Sequence, residues 1–455
     1  MTTLPHRQSF KALRAAYAAR RITPVDVTRS ALGHASAVNA EVNAFAWLDQ
    51  TGALACAEAS AARWRTGAAL SPLDGMPVTV KDMAAVQGWP TRRGSRLTDG
   101  TPATHDAVFV ARLRAAGAVL LGKTLAPEFN WKGVTDSPAF GITRNPLDHG
   151  LTPGGSSGGC AAAVAAGVVR ASIGSDAAGS VRIPAAFTGV LGLKPTVGRI
   201  PIVPFPSHFS GLAHFGPLAA GTSDLADILA IVSGPDSGDW TSTLGNARAL
   251  EACTCEPRRL KVGVVSPDCL GDMDEAVGKG VQHMVAALSG DGIRCVTVQL
   301  NVREASEAAA LLYRWGCAQA LSGLNAESRR LADPGLLAYG EYAESLSLSR
   351  YMRTHAARAS FAAELDALFG AVDVVMLPTV PIRAFSVGRN VPEGWPDEDW
   401  LSWNPYTPAF NLVPHPVLNY PVRPANAALP VGVQFVAPPL EEKRLLALGD
   451  WLDDR

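Results

Sequence analysis

The sequence predicts an α/β fold, a single large domain with a central β-sheet flanked by helices. Two observations carry this. Segments with apolar residues at three- and four-residue spacing alternate with short apolar runs, the pattern of a sheet covered by helices. Such runs also lie on both sides of the Gly-, Ser-, Pro- and Thr-rich stretch 140–217 and continue through it, so that stretch is not a linker. Composition agrees: of 455 residues, 47% are hydrophobic and 18% charged, enough apolar mass for a large core and too apolar for disorder.

Taken in order, the first 65 residues read as helices, SFKALRAAYAARR and DVTRSALGHASAVNAEVNAF, with Thr23-Pro24 as a helix start. MPVTVK (76–81) reads as a strand, DAVFVARLRAAG (106–117) as a helix closed by Gly117, and AVLLGK (118–123) as a strand. Gly158 to Val168 is helical, VRASIG (169–174) a strand and SDLADILAIVSG (223–234) a helix. After a polar connection (235–260) come a strand at 258–266, a helix at 273–288, a strand at 293–300 and a long helical region to about Leu368. Strands at 372–380 and 429–437 and a closing helix EEKRLLALGDWLDD complete the chain. Residues 267–370 are the candidate for a substrate-specificity lobe.

The formal net charge of −1 supplies no basic field for nucleic acid or anionic lipid. The expected partner is therefore a small molecule. Seven cysteines (Cys56, Cys160, Cys253, Cys255, Cys269, Cys295 and Cys317) form no CxxC pair, which fits a reducing cytoplasm. The N-terminal stretch has no leader-like apolar core and no apolar run reaches a membrane-spanning length, so the expectation is a cytoplasmic protein with no membrane association. The nine histidines show no metal-ligand spacing, and no metal is expected.

Chemistry concentrates in TPGGSSGGCAAAVAAG, residues 152–167. It lacks the lysine of a phosphate loop. Gly155-Ser156-Ser157-Gly158-Gly159 matches the GxSxG elbow, but RNPLDHGLTP before it cannot be the strand that an elbow requires. A helix from Gly158 to Val168 rises about 15 Å, and a strand over 169–174 returns about 20 Å. Packed antiparallel, they bring the loop GSDAAGSVRIP, with Ser180, beside Ser156, at the sheet edge where α/β proteins bind ligands. Lys81 ends the strand 76–81 at the same edge. Alone, such a lysine reads as a solvated cap; with the two serine loops it reads as part of a site.

These segments resemble the amidase signature family of serine hydrolases. The matching text is DGMPVTVKD, GKTLAPEF, GITRNPLD, PGGSSGGCAAAVAAG, GSDAAGSVRIPAAFTGVLGLKPT and HFGPLA, followed by GPDSGD, DVVMLPTVP, FNLVPHPV and LPVGVQFV. The likeness runs from about residue 8 to the C-terminus and is densest over a signature core of about 74–219. It implies the family's mixed central sheet, with Lys81 as base, Ser156 as bridging serine and Ser180 as nucleophile. It also implies a cis bond at Gly155–Ser156, which a glycine at 155 would accommodate.

The chemistry is consistent with these residue types. A lysine acts as a base only when neutral, and burial lowers its pKa. A serine hydroxyl can accept and donate at once, so Ser156 can relay a proton. Backbone N–H groups of Ala177, Ala178, Gly179 and Ser180 would form the oxyanion hole. Ala177 and Ala178 depart from the family's usual polar residue and glycine, and Ala178 would be strained if its φ were positive. Ser157 is a supporting loop residue, Asp176 would accept loop N–H bonds, and Arg182 would pair with a nearby carboxylate. Trp131, Tyr313, Trp315 and Trp403, with Phe205 in another segment, would line an aromatic substrate pocket, core packing being the competing reading.

The expected function is therefore hydrolysis of a small-molecule carboxamide through an acyl-enzyme on Ser180, with no cofactor. The alternative is the glutamine-hydrolysing component of a tRNA-dependent amidotransferase complex. A homodimer is implied by the family likeness alone.

Overall fold

The apolar runs assemble into one mixed sheet of 11 strands. The computed structural model describes residues 4–204, 209, 211–242, 256–423 and 428–455; Phe205, Cys253 and Cys255 lie outside the described residues. In chain order the strands are β1 (Phe45–Leu48), β2 (Pro77–Lys81), β3 (Val119–Thr124), β4 (Asp136–Ser137), β5 (Gly141–Ile142), β6 (Ala171–Asp176), β7 (Leu191–Lys194), β8 (His214–Ala219), β9 (Lys261–Val265), β10 (Arg294–Val298), β11 (Val374–Pro378), β12 (Val417–Val422) and β13 (Val431–Val436). The main sheet runs β1-β3-β2-β6-β8-β7-β12-β13-β11-β9-β10, and β4 and β5 form a separate hairpin. β2 is parallel to both β3 and β6, whereas β8 is antiparallel to β6 and β7.

Alternation along β2 decides where the lysine points. Val78 and Val80 belong to the core on one face, so Thr79 and Lys81 project from the other. Thr79 meets Ser172 of β6 there, hydroxyl to hydroxyl at 2.8 Å. The same face carries the helix Gly158–Ala165, whose start stands over the carboxyl ends of β2 and β6.

Residues 267–370 contribute the edge strand β10 and the helices Glu275–Gly290, Val302–Leu321, Pro334–Glu344 and Leu348–Phe369. A large aromatic cluster lies between these helices and the Ser180 loop, and includes Trp131, Tyr313, Trp400 and Trp403 together with Ala177 and Ala178. Among the described residues no helix is long and apolar enough to cross a membrane.

Candidate active site

The structure places Lys81 at the carboxyl end of β2, wholly buried, with Nζ 2.7 Å from Ser156 Oγ. A second hydroxyl, Ser175 Oγ on β6, lies 3.0 Å from the same amine. Burial depresses the Lys81 pKa to about 7, against weaker opposing pulls from Cys160 and Asp176. Near neutral pH a substantial fraction of the amine is therefore free of its proton, against almost none for an ordinary lysine. Sequence reasoning missed Ser175; its position one residue before Asp176 at the end of a strand facing β2 was the available signal.

Ser156 follows a cis peptide from Gly155. Glycine is required at 155 because a Cβ there would sit 2.5 Å from the Val134 carbonyl oxygen. Thr135, also missed, fastens the loop: its hydroxyl donates to Gly154 O at 2.8 Å and accepts the Gly158 N–H at 3.1 Å. Ser157 Oγ donates to Ser175 O at 3.0 Å and accepts the Ser175 N–H at 3.1 Å. That hydroxyl is thus engaged in stitching the loop to β6.

Ser180 is brought alongside by a main-chain bond, the Ser157 N–H donating to Ser180 O at 3.0 Å. The Ser180 hydroxyl makes no hydrogen bond to another described residue, so the Ser156–Ser180 link of the proposed relay is not a formed bond here. The loop before Ser180 is fixed by Asp176, which accepts from the Gly179 N–H at 2.7 Å and the Val181 N–H at 3.2 Å. Arg182 grips both oxygens of the same carboxylate, with Nε at 3.0 Å and Nη2 at 2.9 Å. Asn411 donates to it at 3.0 Å. Burial alone would raise the Asp176 pKa, but the Arg182 charge and these hydrogen bonds outweigh it and hold the carboxyl well below its usual range.

This arrangement corrects one expectation about the oxyanion hole. The Gly179 N–H is committed to Asp176, whereas those of Ala177, Ala178 and Ser180 make no hydrogen bond within the described residues. Positive φ falls on Gly179 (φ 105) and on neither alanine, so Ala177 and Ala178 are accommodated without backbone strain. Their loop is clasped from outside, since Asn404 Nδ2 donates to Ala178 O at 2.7 Å and Thr407 Oγ1 lies 2.8 Å from the same oxygen. Asn404, Thr407 and Asn411 were not legible in the sequence, because they reach the loop across more than 200 positions of chain.

The aromatic candidates separate. Trp131, Tyr313 and Trp403 are buried in the core behind the loop, and the Tyr313 hydroxyl donates to Asn130 O at 2.8 Å. Trp315 instead packs edge-on against Tyr351 (ring centroids 4.8 Å apart) and lines a distinct cleft with Leu346 and Leu348. The four therefore do not share one lining.

The Amidase family model matches residues 26–446. The chain is 35% identical to a component of the glutamyl-tRNA(Gln) amidotransferase of Chloroflexus aggregans (strain MD-66 / DSM 9485), over 99% of this chain and 96% of the relative. Among solved structures, 6-aminohexanoate cyclic dimer hydrolase superposes with a TM-score of 0.89 at 28% identity, covering 100% of this chain and 97% of that one. A chain from a vestigial protein complex bearing on the origins of an s-triazine catabolic enzyme gives 0.88 at 30% identity, with 98% of each chain covered. A family model spanning nearly the whole length, relatives aligned end to end and a shared fold lead to one assignment: this chain belongs to the amidase family, the amidase signature hydrolases acting on carbon–nitrogen bonds.

Proposed function

We propose that the protein is a free-standing amidase that hydrolyses a small carboxamide through an acyl-enzyme on Ser180. The observation that carries this reading is a buried lysine, with its pKa near 7, held 2.7 Å from a serine hydroxyl beside the Ser180 loop. Neutral Lys81 takes the Ser156 proton as Ser156 takes that of Ser180, and Ser180 Oγ forms a bond to the amide carbon. The N–H groups of Ala177, Ala178 and Ser180 stabilise the developing oxyanion. As the C–N bond breaks, the proton returns through Ser156 to the leaving nitrogen. Water then cleaves the acyl ester by the same relay. The Ser156–Ser180 contact closes when substrate is bound, since catalytic hydrogen bonds often tighten only in the complex.

Residues 267–370 carry specificity in this reading. Ser306, on the helix Val302–Leu321, accepts the Ala409 N–H at 3.1 Å, tying that segment to the strap that holds the nucleophile loop.

Fluorophosphonate labelling followed by peptide mass spectrometry tests the mechanism. An adduct on Ser180 is expected, and one on Ser157 overturns it. The likeness to glutamyl-tRNA(Gln) amidotransferase components favours a second reading, glutamine hydrolysis within a complex. Amide turnover by the purified chain alone supports the first; glutaminase activity that appears only with partner proteins supports the second.

A further inference from the structure

Next to the nucleophile loop, on the same face of the sheet, lies a buried basic cluster that the mechanism above does not use. β6 pairs Asp176 with His214 of β8, and β7 pairs Lys194 with Val417 of β12. His415 stands two residues before Val417. The β7–β8 register (Gly192 opposite Leu218) sets Lys194 opposite Gly216, two residues from His214. Period-two alternation then puts His214 and Lys194 on the face of Asp176 and Lys81, and the segment entering β12 brings His415 close enough to Lys194 to feel its charge. At about 4.8 Å per strand, they stand roughly 5–14 Å from β6. Arg358 comes from the helix Leu348–Phe369, whose Phe369 ring stacks on His415 at 5.4 Å and whose Phe361 meets Phe410 at 5.9 Å. It lies close enough for its charge to act on His214.

Within the described residues these groups are short of partners. His214 Nε2, His415 Nδ1, and Arg358 Nε and Nη2 are buried without a hydrogen bond. Lys194 Nζ donates only to Pro195 O, at 3.1 Å. The carboxylates that act on the cluster are already engaged: Asp176 by Arg182 and Asn411, and Glu442 by Arg199 and Thr196. Buried polar nitrogens without a partner are costly unless an anion or water meets them. An anion with two oxygens matches a guanidinium edge flanked by imidazole and ammonium donors. Among the described residues, both carboxylates that act on the cluster are spoken for, and neither is free to hold a substrate ammonium.

We propose that Lys194, His214, Arg358 and His415 form a carboxylate subsite of the Ser180 site, so that the substrate is an amide bearing a carboxylate at its far end and no ammonium beside it. The substrate class rests on the amidase reading; the anion site itself does not.

Two measurements test it. Adipate is titrated calorimetrically into the Ser180→Ala protein and into Ser180→Ala with Arg358→Gln, and binding is expected to weaken about tenfold or more in the second. Should Arg358→Gln fail to fold, Lys194→Met makes the same comparison. No adipate binding, or equal affinity in both proteins, overturns the subsite and leaves the cluster hydrated by water only. Wild-type kcat/KM is then compared across succinamate, adipamate and suberamate and their methyl esters. The free acids are expected to be preferred through KM, with the acid-to-ester ratio falling toward one in Arg358→Gln. Turnover of neutral amides at equal or higher kcat/KM sinks this inference but leaves the amidase reading standing. Adipate binding that depends on Arg358, with no turnover of any amide, does the reverse.

Discussion

Two buried regions meet at the nucleophile loop, and they are built on opposite principles. On one side, Lys81, Ser156, Ser175, Asp176 and Arg182 are polar and buried, joined by hydrogen bonds of 2.7–3.0 Å. On the other, Trp131, Tyr313, Trp400 and Trp403 form a core of rings, with centroids 5.6 Å apart for Tyr313–Trp400 and 5.9 Å for Trp400–Trp403. In the polar region, losing one member strands a charge or a donor. In the aromatic region, losing one costs packing and at most one neutral hydrogen bond. In the proposed mechanism the first region sets the chemistry and the second supplies the stiffness behind it.

The largest expected effects come from removing reacting groups. Ser180→Ala and Lys81→Met should each lower kcat by roughly 10^4-fold or more, read in a steady-state amide assay. Lys81→Met should also raise the melting temperature, because it removes an amine whose charged form burial disfavours. Loss of activity together with a lower melting temperature would place Lys81 in the structural network instead.

The same amine sets the pH response. Burial lowers its pKa to about 7, so it is charged below that pH and neutral above it. Expected kcat/KM therefore rises through about pH 7 toward a plateau on the alkaline side. An activity that falls with rising pH across this window would remove Lys81 as the base.

Next come the groups that shape the loop. Asp176→Asn leaves Arg182 buried without its counter-charge, and about 3–5 kcal/mol of stability should be lost in denaturant unfolding. Gly179→Ala should cost about 1–3 kcal/mol and most of the activity, since φ is 105 and a Cβ would collide with Thr407 Oγ1. The smallest effect is expected from the aromatic side. Tyr313→Phe removes one hydrogen bond, to Asn130 O, and should cost about 1 kcal/mol with kcat little changed. A loss of kcat matching that of Asp176→Asn would erase the distinction between the two regions.

Local signals carried most of the elements and the placing of Lys81, Ser156 and Ser180 at one sheet edge; their catalytic roles rest on the family resemblance. β2, β3, β6, β9, β10, β11 and β13 fall within the apolar runs that the sequence marks as strands, apart from end residues. The helices Val108–Ala115, Gly158–Ala165 and Glu442–Asp453 fall within the periodic segments, and Glu275–Gly290 runs two residues past the expected end at 288. Four strands of the main sheet, β1, β7, β8 and β12, lie outside the runs that the sequence marks as strands. Each is short or interrupted by Gly or Pro, as in HFGPLA and VLNYPV, and is held by neighbours on both sides in the sheet, except β1 at the edge. Propensity is weak in such segments, and pairing decides.

What the sequence determined alone was the inventory: an α/β pattern, two serine loops, a lysine ending a strand, and no charge field. These are local properties of residue type and spacing. Tertiary structure alone decided that Ser175 shares the lysine, that Asp176 takes the Gly179 N–H, and that Asn404, Thr407 and Asn411 clasp the loop. Only the fold brings His214, Lys194 and His415 together from separate segments and sets Arg358, on a helix, near His214. The reason is physical: a hydrogen bond or a buried charge depends on distance in space, and contacts across more than 200 positions of chain leave no period in the sequence.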